Sequence, residues 1–356
     1  MLRTLRAVDF RCFEGLSLEV PEAGGAFIGD NAQGKTSILE AVCLLVRLHS
    51  PRSSRMAALA RVGGSGGFGV AGEAWGGERR VSWRARTPMD LRVDGESRAT
   101  QGAYLADGGL LVWMGNDDLE LVRGGGETRR RYLDFIGSQV EPGYRRALAR
   151  YRRALKAKNL LLRDAAPRER EIASYEAVLI EAAELLTRTR QALVVRLAPA
   201  AAAMQRAIAG REESLELAYQ PSCEGDLVRA LEQARERERR QRRSLVGPHR
   251  DELALRINGL PAGEFASEGQ QRTLALALKL AQGRVLAELR GASPVWLIDD
   301  IFGELDVARR NAVLRALPTE AQKWITTTHL DWLDDAAGLG GLARFRVDDG
   351  RIAAGG

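Results

Sequence analysis

The spacing of apolar and polar positions changes twice along the chain. Up to about residue 115, glycine-rich segments with alternating apolar residues predict antiparallel strands and turns. From about residue 142 to 243 the apolar positions recur every three or four residues, as in Tyr144, Leu148 and Tyr151, which predicts helices. After Gly247 the alternation of strands and helices returns. The pattern therefore predicts an α/β core that is interrupted by an inserted helical segment.

These changes predict three segments. Residues 1–141 form the N-terminal part of the core, residues 142–245 form a helical arm domain, and residues 246–356 form the C-terminal part of the core. A second apolar series in the inserted segment has the same helical spacing, and it comprises Tyr175, Val178, Leu179, Ala182 and Leu186. We expect the helices of this segment to pack as an antiparallel arm.

An octapeptide at residues 29–36 matches the phosphate-binding pattern G-x-x-x-x-G-K-[ST]. It follows an apolar strand that ends at Ile28 and precedes an apolar helix, whose N-terminal dipole favours phosphate. Lys35 is expected to reach the β- and γ-phosphates, and the Thr36 hydroxyl is expected to ligate Mg²⁺. The predicted nucleotide-binding residues are Gly29, Asp30, Asn31, Ala32, Gln33, Gly34, Lys35, Thr36 and Ser37.

A pair of adjacent carboxylates follows a second apolar run. Val295 to Ile298, bounded by Pro294, predicts a strand that is buried on both faces, and Asp299 and Asp300 come at its carboxyl end. Open α/β sheets bind their ligands at this end of their strands. Two neighbouring carboxylates there need a cation or a proton to offset their charges. We therefore predict that Asp299 faces Mg²⁺ and that Asp300 faces the attacking water. A strand-end turn with a helix cap is the alternative.

A polar tetrapeptide, Ser267-Glu268-Gly269-Gln270, precedes an almost wholly apolar helix over residues 271–281. Ser267 is a natural N-cap of that helix, and the free N–H groups of the first turn form a second anion site. Two interpretations remain open for these residues. They form either a plain capping box or a phosphate-binding signature loop in which Ser267, Gly269 and Gln270 take part.

Composition limits the class of protein. The chain has 356 residues, enough for roughly two domains. We expect no membrane span, because Arg196 and Pro199 interrupt the longest apolar candidate, and the charged start of the chain does not match a signal peptide. The three cysteines, Cys12, Cys43 and Cys223, are widely spaced and predict neither a disulfide nor a zinc site. These features favour a cytoplasmic location.

The net charge is only +6, but basic residues are concentrated on two predicted helices. One interpretation is a groove for the DNA backbone that ignores base sequence. The other is a pair of solvated helix faces, since Glu232, Glu236 and Glu238 can pair locally. The first helix carries Arg145, Arg146, Arg150, Arg152, Arg153, Lys156 and Lys158, and the second carries Arg235, Arg237, Arg239, Arg240, Arg242 and Arg243.

The order and spacing of these motifs resemble those of the RecF family, whose ATPase heads are related to the SMC and ABC types. The resemblance covers essentially the whole chain. Its motifs are Phe10-Arg11-Cys12-Phe13, the octapeptide at 29–36 with 37–41 after it, Asp118-Leu119 with 129–134, and the segments 247–251, 267–273, 299–306 and 326–328.

The resemblance implies an α/β fold, an ABC/SMC-like P-loop ATPase head with an inserted antiparallel helical arm domain. It implies a weak, Mg²⁺-dependent ATPase of the cytoplasm that binds ATP and double-stranded DNA or ss/ds junctions and closes as an ATP-dependent homodimer. It further implies action with RecO and RecR, and help to RecA loading at gaps, in DNA repair, recombination, replication and the SOS response. An ABC transporter ATPase subunit with a membrane partner, or a nucleotide-sensing scaffold without turnover, are the alternatives.

The resemblance also implies the roles of individual residues. The catalytic residues are expected to be Lys35, Asp300, the signature-loop residues Ser267, Gly269 and Gln270, and His329, which stands near the position of a switch histidine. His329 can equally be a structural histidine at a strand end. Some positions depart from the family pattern: Asn116 and Gly126 stand where proline is usual. Asp300 replaces the glutamate of most ABC ATPases, as is usual for RecF-like sequences, and the shorter acid is consistent with slow hydrolysis.

Overall fold

The computed structural model describes residues 1–164, 168–210, 212–329, 339 and 341–355. The strands are β1 (Thr4–Phe10), β2 (Phe13–Glu19), β3 (Gly24–Ile28), β4 (Gly67–Ala74), β5 (Gly77–Arg84), β6 (Asp90–Val93), β7 (Glu96–Ser97), β8 (Leu111–Gly115), β9 (Leu215–Gln220), β10 (Glu252–Ile257), β11 (Leu260–Pro261), β12 (Val295–Asp299), β13 (Lys323–Thr327), β14 (Ala343–Asp348) and β15 (Arg351–Ala354).

The α-helices are α1 (Lys35–Arg47), α2 (Gln101–Leu105), α3 (Glu120–Arg123), α4 (Gly126–Val140), α5 (Tyr144–Leu161), α6 (Glu169–Ala209), α7 (Leu227–Gln241), α8 (Ala262–Phe265), α9 (Glu268–Arg290) and α10 (Val307–Ala316). Short 3₁₀ helices cover Met56–Leu59, Asn116–Leu119 and Phe302–Glu304.

The chain divides into two compact units. The first contains Met1–Asp118 and Leu286–Gly356, and the second contains Leu119–Val285. The middle of the chain is therefore inserted into the first unit, as the return of the strand-and-helix pattern predicts. The three-part division at residues 141 and 245 stays a prediction.

The first unit is built on two sheets. One has the strand order β15-β14-β3-β13-β12-β8, and its strands run parallel except for β15, which pairs antiparallel with β14. The other is antiparallel with the order β2-β1-β4-β5-β6-β7, as the alternating pattern before residue 115 predicts. Helix α1 contacts strands of both sheets, which explains why its residues from Ser37 to Arg47 are all buried.

The second unit contains the arm. Helices α5 and α6 run antiparallel, because Arg150 pairs with Glu181 while Lys158, further along α5, pairs with Glu176. Their interface is small and apolar; it comprises Tyr144, Tyr151, Ala154, Leu179, Ala182, Ala183 and Leu186. The predicted antiparallel helical arm is thereby confirmed.

A strand lies where the sequence analysis predicted only helix. β9 pairs antiparallel with β10 over all six of its residues, and β11 completes a three-stranded sheet. The segment is short, and its alternation of buried and exposed side chains follows the pairing with β10. The continuous helical prediction from 142 to 243 was therefore wrong at this point.

Buried charges connect the elements of the second unit. Arg190 of α6 is 2% exposed and its Nη2 lies 2.8 Å from Oδ1 of Asp134 in α4, which also accepts the Tyr144 hydroxyl at 2.6 Å. Lys158 is fully buried, with Nζ 2.9 Å from Glu176 and 2.6 Å from Glu238. The expectation that Lys158 lies on a basic surface was therefore wrong, because its charge is neutralised inside the unit.

Helix α6 also changes the expectation about membrane spans. Its 41 residues make it long and apolar enough to cross a membrane by length and composition alone, since the helix continues through Arg196 and Pro199. The argument that Arg196 and Pro199 interrupt this stretch was wrong, while the expectation that the chain has no membrane span stays a prediction. Length and composition are weak evidence for a membrane span, because core helices of soluble proteins also meet both criteria. Helix α6 packs Leu179 and Leu186 against α5.

We predict that Arg190→Leu destabilises the protein by about 3–5 kcal/mol, because it leaves the buried Asp134 carboxylate without its main cation. Urea unfolding measures the change. The matched control is Arg188→Leu, the same substitution at an exposed position of the same helix, which should leave the unfolding midpoint nearly unchanged. Equal midpoints for the two variants would contradict the role given to the buried pair.

Candidate nucleotide-binding site

The octapeptide forms the connection between β3 and α1, as predicted. Both glycines of the octapeptide are required, because atoms of other residues lie too close to leave room for a side chain. A Cβ at Gly29 would lie 2.1 Å from the carbonyl oxygen of Val347, and one at Gly34 would lie 2.7 Å from Sγ of Cys12. Gly34 also has a left-handed φ of 106° and is the N-cap of α1. The loop is therefore fixed in a shape that larger residues cannot adopt.

The side chain of Lys35 folds back over this loop. Its Nζ donates to the carbonyl oxygens of Gly29 at 2.5 Å and Asp30 at 2.7 Å. Burial lowers the pKa of the ammonium group, and the carboxylates of Asp300 and Asp299 oppose that shift. The lysine therefore places a partly desolvated cation beside the free N–H groups at the start of α1.

Asp299 connects three elements at the carboxyl edge of the parallel sheet. Its Oδ1 accepts hydrogen bonds from the hydroxyls of Thr36 at 2.8 Å and Thr326 at 2.7 Å. Burial raises the pKa of Asp299, the two hydroxyls lower it, and the neighbouring charge of Asp300 raises it further. The predicted metal residues Thr36 and Asp299 thus lie in direct contact.

Asp300 follows the strand in a left-handed conformation with a φ of 50°. Its N–H donates to the Thr326 carbonyl at 3.2 Å and to the Thr326 hydroxyl at 3.0 Å, which holds the turn. Burial raises the pKa of the Asp300 carboxyl, Lys35 opposes the shift, and Glu304 adds to it. The two carboxylates therefore have separate environments, with Asp299 the more buried of the two.

Two further side chains flank Asp300. His329 is exposed, its Nδ1 lies 2.9 Å from the Thr328 hydroxyl, and its charge lowers the pKa of Asp300. Asn116, which stands at a usual proline position of the resembled family, donates from Nδ2 to Oε1 of Glu304 at 3.0 Å. The substitution thus places a hydrogen-bond donor beside the loop that carries Asp300.

The residues at this edge fit a magnesium nucleotide. Thr36 and Asp299 supply the hydroxyl and carboxylate oxygens that Mg²⁺ prefers, and the ion commonly takes its other ligands from phosphates and water. Among the described residues there is no group of three or more His, Cys, Asp or Glu side chains that could hold a metal on their own. A metal held by Thr36 and Asp299 would take its remaining ligands from nucleotide phosphates and from water.

The signature-type tetrapeptide lies in the second unit, at the start of α9. The Ser267 N–H donates to Oε1 of Gln270 at 2.8 Å, and the Gln270 N–H donates to the Ser267 hydroxyl at 3.4 Å. This reciprocal pair is a capping box, so the capping interpretation is confirmed. Gln270 also donates to Glu213 at 3.0 Å. Ser267 is exposed, and the phosphate-binding role of Ser267, Gly269 and Gln270 stays a prediction.

Sequence reasoning missed two contributors to the site. The Thr326 hydroxyl donates to the Asp299 carboxylate and accepts the Asp300 backbone N–H, and Glu304 raises the pKa of Asp300. A signal was present in both cases: the three threonines 326–328 end a strand, and Glu304 lies in the segment 299–306. Neither signal identified a contact: Thr326 reaches Asp299 only through the pairing of β13 with β12, and the proximity of Glu304 to Asp300 depends on the shape of the turn between them.

Comparison with known proteins identifies the family. The chain is 36% identical over 378 residues to the DNA replication and repair protein RecF of Synechococcus sp. (strain JA-3-3Ab), covering 99% of this chain and 97% of that protein. It is 38% identical over 370 residues to the RecF protein of Gloeobacter violaceus, covering 99% and 98%. The chain belongs to the RecF family. No protein-family model matches it.

Solved structures agree with this assignment. A RecF recombination mediator protein of the RecFOR pathway, solved with ATPrS, matches with a TM-score of 0.88 and 26% identity, covering 99% of this chain and 98% of that one. The same mediator solved with ATP matches with a TM-score of 0.86. The Smc head domain from Pyrococcus furiosus matches at 0.57 with 16% identity, which shows the fold alone. This chain thus has the ABC/SMC-like head fold that its motifs imply.

We predict that Lys35→Ala weakens ATP binding about 10- to 100-fold, because a charge-assisted contact to the β- and γ-phosphates is lost. Lys35→Arg should still bind ATP but fail in closure or turnover, since the guanidinium is larger and planar. Titration with a fluorescent ATP analogue measures both. Lys156→Ala, which removes an exposed lysine of α5, is the control. An unchanged ATP affinity in Lys35→Ala would exclude this loop as the nucleotide site.

Proposed function

We propose that this chain is an ATP-dependent DNA-binding protein of recombinational DNA repair, in which two copies close on two ATP molecules and grip DNA. The observation that carries the proposal is the contact between Thr36 and Asp299, 2.8 Å apart, beside Lys35 and the octapeptide. Membership of the RecF family supports the DNA partner. Matched RecF structures are described with ATP or ATPrS, which supports the nucleotide.

The proposed chemistry assigns one task to each side chain. The octapeptide N–H groups and Lys35 hold the phosphates, and Thr36 with Asp299 holds Mg²⁺, which supplies charge stabilisation to the transferring phosphoryl group. Asp300 accepts a proton from the attacking water, a role that its raised pKa favours. His329, an exposed side chain near Asp300, contributes to sensing of the γ-phosphate. Slow hydrolysis then opens the dimer.

Ser267 and Gly269 are proposed to complete the ATP site of a second copy. Ser267 is exposed, and the N-terminal N–H groups of the 23-residue helix α9 add a favourable dipole for phosphate. The capping box leaves the Ser267 hydroxyl on an accessible helix end. The Ser267 hydroxyl accepts the Gln270 N–H, so its own proton can be donated to a γ-phosphate oxygen. Homodimerisation would therefore depend on ATP.

Ion pairs within the arm decide which of the basic residues can contact DNA. Arg150 makes a bidentate pair with Glu181, at 2.7 and 2.8 Å, and Arg152 pairs with Asp134. On α5, Arg146, Arg153 and Lys156 are exposed. Binding of DNA phosphates by these three side chains costs less, because within the described part of the chain they make no short ion pair that must first be broken. We therefore place the sequence-independent DNA contact on this exposed subset.

The same distinction applies to α7. Arg235 pairs with Glu176 and Arg239 pairs with Glu169, while the exposed side chains of Arg237 and Arg242 make no hydrogen bond or ion pair among the described residues.

RecR and RecO remain proposed partners by resemblance, in helping RecA to load at gaps and ss/ds junctions. A cytoplasmic location follows from this proposal.

We predict that Arg153→Glu combined with Lys156→Glu weakens ATP-dependent DNA binding for every base sequence alike and flattens its salt dependence, since fewer counterions are released. Binding titrations at several salt concentrations give the slope. Arg150→Glu, at the paired position, should have a smaller effect on that slope. A slope that the double variant leaves unchanged would identify this part of α5 as a solvated face.

The test of the whole proposal compares Ser267→Arg with Asp300→Asn by sedimentation, with and without ATP. Ser267→Arg should bind ATP as a monomer but neither dimerise nor hydrolyse, because its bulk occupies the space of a small hydroxyl. Asp300→Asn should keep ATP and Mg²⁺ at Asp299 and accumulate closed, DNA-bound dimers, because no base orients the water.

Dimerisation of Ser267→Arg at the parent level would refute the trans site. Phosphate release, measured with and without DNA, separates the ATPase from a nucleotide-sensing scaffold. Membrane fractionation separates the proposal from a transporter subunit.

A further inference from the structure

A hairpin turn more than three hundred residues away contacts the octapeptide. β14 and β15 pair with Asp348 opposite Arg351, so Asp349 and Gly350 alone form the turn. Both have left-handed φ angles, 43° and 72°, as in the type I′ turn that favours Asp-Gly. The N–H groups of the two central residues of such a turn lie outside the hydrogen-bond ladder. They therefore need acceptors elsewhere.

Gln33 supplies both acceptors. Its side-chain Oε1 accepts the Asp349 N–H at 2.5 Å, and its carbonyl oxygen accepts the Gly350 N–H at 3.2 Å. The same hairpin closes on the start of the octapeptide, where a Cβ at Gly29 would lie 2.1 Å from the Val347 carbonyl oxygen. The hairpin thus touches the phosphate-binding loop at two separate residues, and all these residues belong to the first unit.

These bonds fix the direction of one peptide plane. In a trans peptide the carbonyl and the following N–H point to opposite sides. Holding the Gln33 carbonyl on Gly350 therefore turns the Gly34 N–H away from the hairpin, at the N-cap of α1 where an anion is favoured. We propose that the Asp349-Gly350 turn positions the Gly34 N–H for a phosphate oxygen, and that Gln33 is a positioning residue for ATP.

The proposal deepens the nucleotide-binding function proposed above and rests on it. It also changes the assignment of Gln33, which the octapeptide pattern alone counts as a residue in contact with nucleotide. The side chain acts through the backbone of the loop. Its substitution should therefore change the order of the loop even without ATP.

The test combines amide hydrogen exchange of peptides covering residues 29–36, without nucleotide, with ATP titration. Gln33→Met removes the side-chain acceptor at nearly constant length, so exchange should rise about fivefold and ATP affinity should fall about five- to tenfold. Gln33→Glu keeps an acceptor oxygen at the same reach, so its exchange should match the parent.

Gly350→Val tests the turn itself. It strains the left-handed conformation and should raise exchange at residues 29–36 although it lies far away in sequence. Asp348→Asn, one residue before the turn, is the control.

The outcomes are distinct. Faster exchange and weaker ATP binding in Gln33→Met, with parent-like exchange in Gln33→Glu, support the proposal. Parent-like exchange or parent-like affinity in Gln33→Met overturns it, as does fast exchange in Gln33→Glu. The melting temperature of each variant shows whether it is folded. If Gly350→Val does not fold, the two substitutions at the partly exposed Gln33 still test the proposal. If the parent chain itself binds no ATP, the proposed function fails, and the exchange measurement still decides whether the turn holds the loop.

Discussion

The two hydrogen bonds that Oδ1 of Asp299 accepts, from Thr36 and Thr326, determine where the site lies. They join the start of α1 to the ends of β12 and β13. Parallel pairing of β3, β13 and β12 brings the three carboxyl ends to the same edge of the sheet. Without that pairing, Thr36 and Asp299, 263 residues apart, would share no contact. The sheet order is thus what turns two separate motifs into one site.

Burial opposes the charges of three side chains at this edge. It raises the pKa of Asp299 and of Asp300, and it lowers the pKa of Lys35. The attraction between Lys35 and the two carboxylates only partly offsets that cost. A divalent cation beside Asp299 would offset the negative charge of the carboxylates, and a phosphate beside Lys35 would offset the positive charge of the ammonium group. These charges support the proposed magnesium nucleotide as the ligand of this edge.

Local sequence patterns correctly predicted the features that depend only on neighbouring residues. The octapeptide lies between β3 and α1, the apolar run before Asp299 is β12, and Ser267 caps α9, each as predicted. The failures share a cause. β9 depends on pairing with β10, and Lys158 is buried because two carboxylates from other helices surround it. Such features depend on partners distant in sequence, which periodicity and composition cannot identify.

The buried charges of the arm also explain why its two helices have a defined register. The interface between α5 and α6 is rich in small residues, such as Ala154, Ala182 and Ala183, and small side chains interlock weakly. A shift of one helical turn, about 5.4 Å, would preserve much of that apolar contact. It would separate Lys158 from Glu176, however, and leave a buried charge without its partner, which is far more costly than lost alanine packing. The buried ion pair therefore sets the register together with the packing of larger side chains such as Tyr151 and Leu186.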